Sequence, residues 1–160
     1  MTLLTLYALC ACAGLLVALW RTPRLPRYNL LLVIAAVPQL GSLLHLHVPG
    51  MFLISVAAVV FWCLGNRAIP GVLVVAAGAL MNMLAMALHG GAMPIPADVL
   101  AGLGAPAAVG TRLAGSKDLV VTASPLWLLS DWLVVMAEPW TLIISPGDLL
   151  IVAGIVGWLA

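Results

Sequence analysis

The side chains of this chain best placed to do chemistry are few, and most sit at the ends of apolar runs. Asp131 lies within Pro125-Leu-Trp-Leu-Leu-Ser-Asp131-Trp-Leu-Val-Val-Met136. An ionisable group in such surroundings is a functional hypothesis in its own right. His89 closes an apolar run that also holds Asn82. With Asp131 it would make an acid–base pair if the two came within hydrogen-bond reach, directly or through one water. Gly71, Val75, Gly78, Asn82, Ala85 and His89 recur at spacings of four and three, which places them on one helix face. Asn82, His89, Met93 and Asp131 are therefore the candidate pocket residues. Asp131 and His89 are the catalytic candidates within that set. Two plainer explanations compete: Asn82 and the small residues serving close helix packing, and Asp131 sitting at headgroup level beside Trp127, Ser130 and Trp132.

Three histidines raise the question of a haem, a pigment magnesium or a metal ion. His45 and His47 stand two apart and would face nearly opposite sides of a helix. His-x-x-x-His, Glu-x-x-His and Cys-x-x-Cys patterns are all missing from the sequence. The expectation is no metal site and no cofactor, with haem, pigment or metal at His45 or His89 as the minor alternative. Cys10, Cys12 and Cys63 lie inside apolar runs and read as small buried hydrophobes. Gly90-Gly91 is too short to cradle a phosphate, and no nucleophile elbow or dinucleotide motif appears. A net charge of +1 leaves no electrostatic footprint for nucleic acid.

The elements that must carry these residues are apolar to an unusual degree. The chain is 65% hydrophobic and 7% charged, against about 25% charged in a soluble domain, and its mean hydropathy is +1.25. Four long uncharged runs occupy most of residues 2–89. They are apolar all round, without the alternation of a barrel strand. The expected fold is an all-α integral membrane protein forming a single domain over 1–160. About five transmembrane helices would cover roughly 3–20, 28–47, 51–66, 71–89 and 146–160, lengths close to the roughly 20 residues a bilayer core requires. The first reads as a retained helix, since its basic residues follow rather than precede it.

Residues 90–124, rich in Gly, Ala and Pro, read as an outer loop folded over the helix ends. Ser124-Pro125 marks the start of a short interfacial or re-entrant helix over 125–136; a full span over 119–136, kinked at Pro125, is the alternative. Ser145-Pro146-Gly147-Asp148 has capping-box spacing, so Ser145 and Asp148 are structural residues. So are Gly90 and Gly91, which would leave the preceding helix in a left-handed turn, and Pro94, which would steer the loop back. Arg21, Arg24 and Arg27 follow the first run, and the excess of basic residues there places that loop in the cytoplasm and the amino terminus outside. This is a multi-pass topology in the cell membrane.

His89-Gly-Gly-Ala-Met-Pro-Ile-Pro96 is similar to the Asn-Gly-Gly-x-Met-Pro-Val pattern of the bacterial family called domain of unknown function 5317. Leu128-Leu-Ser-Asp131 and Ile144-Ser-Pro-Gly-Asp148 resemble its Leu-Gly-Asp and Ser-x-Gly-Asp elements. His89 stands where the family usually has Asn, and Ser130 where it has Gly. The resemblance implies a small multi-spanning membrane protein and no particular activity. Few polar groups lie at membrane depth, which favours a non-catalytic accessory or structural subunit of a larger membrane complex, with lipid and other membrane subunits as partners. A small transporter or channel component is the first alternative. A membrane enzyme with an outer-face site around His89 and Asp131 is the second.

Overall fold

The computed structural model describes residues 26–43, 50–113, 116–122, 126–137 and 140–159. The run at 3–20, the Arg21–Arg24 stretch, His45 and His47 lie outside them. Among the described residues four helices carry apolar runs: α1 (Leu30–Leu43), α2 (Met51–Gly65), α3 (Val72–Ala87) and, last in the chain, α5 (Pro146–Leu159). A short α4 (Ala97–Gly102) lies between β1 (Met93–Pro96) and β2 (Asp118–Val121); β3 (Leu133–Ala137) and β4 (Trp140–Ile144) precede α5. In sequence order α1, α2 and α3 pack side by side, and α5 returns to lie on α3.

This corrects the expectation of an all-α integral membrane protein with about five transmembrane helices. The longest helix among the described residues, α3, has 16 residues, or about 24 Å at 1.5 Å per residue, against a hydrocarbon core of about 30 Å. Among the described residues no helix is long and apolar enough to cross a membrane. The region read as an outer loop holds β1, α4 and β2. The strands β1 and β2 pair in parallel, Met93 opposite Asp118 and Ile95 opposite Val120, and a parallel pair needs a long crossover, here the stretch containing α4.

The expected helix over 125–136 is also replaced. A single 3₁₀ turn, Trp127–Leu129, gives way to β3, which pairs antiparallel with β4 from Leu133 opposite Ile144 to Ala137 opposite Trp140. The physical reason is the β-branched content of Val134, Val135, Thr141, Ile143 and Ile144, side chains that lose freedom in a helix and pack well on a pleated surface. An apolar run this short does not reveal its period, so helix and strand look alike in sequence.

Among the described residues the core has three parts. Trp62, Cys63, Val72, Val75 and Ala76 form one, flanked by Ile151, Ile155 and Trp158 of α5; the rings of Trp62 and Trp158 lie 5.9 Å apart. Phe52, Ala85, Met86 and Met93 form the second; Ile95 and Val120 of the small parallel sheet form the third with Leu100 of α4. Asn66 ties the segment before α1 to the end of α2. Its side-chain oxygen accepts from the Arg27 amide at 2.7 Å, and its amide donates to the carbonyls of Arg27 and Trp62 at 2.9 and 2.8 Å. Truncating this buried clamp, Asn66→Ala, strands several backbone groups and is expected to cost about 2 kcal/mol in denaturant unfolding. A loss below a few tenths would mean that water replaces the clamp freely.

The contact of α3 with α5 is made by glycine. A Cβ on Gly78 would stand 2.3 Å from the Gly147 carbonyl oxygen, so the backbones touch. An exposed mid-helix Gly→Ala change stabilises a helix by about 1 kcal/mol. Gly78→Ala should do the opposite here, because backbone rather than a movable side chain occupies the space. A thermal midpoint that rises in this variant would disprove the close approach.

Candidate functional site

Two polar clusters meet where β1, β2, the 3₁₀ turn and the start of α5 converge. The first is built on the cap of α5. The Asp148 amide donates to Ser145 Oγ at 3.1 Å, and the Ser145 amide donates to Asp148 Oδ2 at 3.0 Å. This is the reciprocal capping box that satisfies two free backbone donors at a helix start, with the carboxylate near the positive end of the helix dipole. Asn82 closes the ring from α3: its Nδ2 donates to Asp148 Oδ1 at 2.8 Å, and its Oδ1 accepts from Ser145 Oγ at 2.8 Å. Ser145 and Asn82 are both buried. Gly147 is part of the fit, since a Cβ there would lie 2.1 Å from Asn82 Oδ1. Each of the three side chains uses its polar atoms within this ring, so the cluster locks α3 to α5. Asn82→Ala leaves Ser145 Oγ without its acceptor and Asp148 without one donor. We expect a loss of about 2–3 kcal/mol in unfolding free energy. Asn82→Asp would be worse still, placing a second carboxylate against Asp148.

The second cluster surrounds Asp131, which is 3% exposed. Lys117 Nζ donates to its Oδ2 at 2.8 Å, and the same ammonium lies 3.5 Å from Asp118 Oδ1. Asp118 Oδ2 also accepts from Ser116 Oγ. Among the described residues Asp131 Oδ1 is buried without a hydrogen-bond partner. The backbone completes the junction: the Asp131 amide donates to the Pro94 carbonyl at 3.0 Å, and the Met93 amide donates to the Lys117 carbonyl at 2.9 Å. Burial pushes the Asp131 carboxyl up to about 7; Lys117 draws it down, Asp118 and Asp148 push it further up, and burial prevails. For Lys117 burial acts to lower the ammonium, but the carboxylates of Asp131, Asp118 and Asp148 outweigh it, and Lys117 is held protonated well above the usual lysine range.

The sequence candidates are thus distributed rather than gathered. Asn82 joins Ser145 and Asp148. Asp131 pairs with Lys117. The His89 ring engages the Ala85 carbonyl through Nδ1 at 2.7 Å; a carbonyl only accepts, so that nitrogen is the donor. His89 therefore closes its own helix end. Met93 is fully buried against Phe52, Ala85 and Met86 and belongs to the core. Gly90 and Gly91 have φ of 62° and 81°, and the Gly91 amide donates to the Met86 carbonyl at 2.8 Å, the six-to-one closure of a Schellman turn. Pro94 supplies the carbonyl that Asp131 grips.

Sequence reasoning missed Lys117 as the partner of Asp131. The available signal was the step from Gly115-Ser116-Lys117-Asp118 into Leu119-Val120-Val121, a turn leading into β-branched residues.

The profile of the family described as "Family of unknown function (DUF5317)" matches residues 26–160. No curated protein and no solved structure is similar to the chain. The matched stretch contains both polar clusters, the glycine contact of α3 with α5 and the Gly90-Gly91 turn. This chain belongs to that family of unknown function, DUF5317.

Proposed function

We propose that this protein is a non-catalytic accessory component of a larger membrane-associated complex. The observation that carries the reading is the outward surface of the helices. Leu30, Val33, Ile34, Val37 and Leu40 line α1 at helical spacing and are all exposed, and Phe61, Leu73 and Val156 extend apolar exposure over α2, α3 and α5. Contiguous apolar surface of this kind marks contact with lipid or with a partner protein. The polar side chains are used inward, in a closed ring that locks two helices and in an ion pair at a strand junction, an arrangement suited to holding a shape. The reading of Asp131 and His89 as acid and base draws no support from their contacts, since each has a different partner.

The test is purification of the full chain from membranes in mild detergent, with mass measurement of the intact particle. A stoichiometric partner that remains through size exclusion supports the reading. A homogeneous single chain, or recovery in the supernatant without detergent, would overturn it. Asp131→Asn and His89→Ala should leave partner recovery unchanged, whereas Phe61→Asp and Val37→Asp should reduce it.

A further inference from the structure

The closed ring at Asn82 leaves nothing open to a ligand, and among the described residues Cys63 is a free, buried thiol with no second cysteine beside it. The apolar helix faces bear on the role just proposed. The Asp131 junction is different, because its charges and hydrogen bonds do not balance. Two carboxylates, Asp131 and Asp118, share one ammonium. Asp118 receives donors on both oxygens, from Lys117 and Ser116. Asp131 receives one, on Oδ2, and among the described residues its Oδ1 is buried with none. An anionic oxygen held out of water without a donor is far more costly than a neutral one. A proton removes that penalty and leaves Lys117 matched to Asp118.

We propose that Asp131 is a proton-binding site, and that its proton fastens the turn after Trp127–Leu129 to the β1–β2 pair. Among the described residues three charged groups act on it. Lys117 and Asp118 approach from the start of β2, and Asp148 acts from the first turn of α5. The strand β1 and helix α3 carry no acid or base within their spans. His89, just past α3, is engaged with the Ala85 carbonyl, and Arg112 reaches the Gly90 carbonyl.

Proton binding and closure of the junction are linked. When the junction opens, Asp131 returns to water and to an ordinary carboxyl near pH 4; closed, it holds its proton up to about 7. The proton therefore binds the closed form more tightly, and rising pH favours opening. Between about pH 4 and pH 7 the ratio of closed to open should fall by up to about tenfold per pH unit, and above that it should level off. The accessory role and this site are independent: a chain without partners would still titrate here.

Hydrogen exchange of the full chain in detergent reads the junction directly. The amides of Asp131 and Met93, bonded to Pro94 and Lys117, should lose protection, after correction for intrinsic exchange, by severalfold per pH unit from pH 5 to 7. In Asp131→Asn, a neutral isostere, protection of both amides should be independent of pH. Protection that is flat or rises with pH in the wild type overturns the proposal. So does a pH slope that persists in Asp131→Asn, which includes the case in which Asp118 is the titrating group. Should that variant not fold, an infrared titration of the wild type with carboxyl-labelled aspartate decides. A protonated carboxylic acid band still present at pH 6 is expected, and its complete loss by pH 5 would end the idea.

Discussion

Gly71→Ala should loosen α5 from α3 and lower the unfolding free energy by about 2–5 kcal/mol, the largest loss expected from removing no side chain at all. Gly71 stands just before α3 with φ of 75°, a conformation that costs an L-residue about 1–2 kcal/mol. Its Cβ would also lie 2.0 Å from the Gly154 carbonyl oxygen and 3.0 Å from the Trp158 amide. Both are backbone atoms of α5, so relief requires moving the helix, with overpacking of about 1–3 kcal/mol. Trp158 rests beside Trp62, and a shift of α5 would be visible as a change in tryptophan fluorescence. Gly104→Ala separates the two contributions. Gly104 has φ of 73° and nothing within 4 Å of a Cβ, so it carries the backbone strain alone. Equal losses in the two variants would show that the approach of α3 and α5 contributes nothing.

Lys117→Met should be strongly dependent on pH. Removing one partner of a buried pair leaves the other charge uncompensated, at about 3–5 kcal/mol for a fully enclosed pair. The Lys117 side chain keeps 33% of its exposure, and water reaching that side reduces the expected cost to about 2–3 kcal/mol. Asp131 escapes the penalty by taking up a proton. Its carboxyl, raised to about 7 in the fold from about 3.9 in an unfolded chain, contributes stability that is present in full below about pH 4 and is lost as pH rises through 7. Without Lys117 the one strong influence lowering it is gone, so the loss extends to higher pH. Denaturant unfolding at pH 5 and pH 8 checks this: a small deficit at pH 5 and most of the full deficit at pH 8. The same deficit at both would mean that Lys117 acts through packing of its methylene stem rather than its charge.

Several local features are legible in the residue order alone. The Ser145–Asp148 spacing matches the hydrogen bonds at the start of α5. The four-and-three recurrence of Val75, Gly78, Asn82 and Ala85 coincides with the buried side of α3. Gly90 and Gly91 fall where positive φ is found. Each of these depends on neighbours within a turn or two of helix, so the preference is written in adjacent residues.

What is not legible depends on distance along the chain. Leu133–Ala137 and Trp140–Ile144 are apolar nearly throughout and become strands by pairing with each other, which no local period announces. Helix length is overread for a related reason: hydropathy marks where a side chain prefers an apolar medium and says little about where the backbone stops being helical. Ala87 ends α3 although the apolar run continues through Leu88. His89 and Asp131 look like partners because both border apolar runs. The parallel pairing of Met93 with Asp118 instead carries Lys117 to Asp131, while His89 turns back on its own helix.

Residue types and short spacings were enough to determine the family resemblance, the caps, the left-handed turn and the small-residue face, because backbone conformation and solvent preference are properties of neighbouring residues. The tertiary structure decided which charges meet, which glycines touch and which apolar run became a strand. Those outcomes require segments remote in sequence to be brought together, and only the folded chain does so.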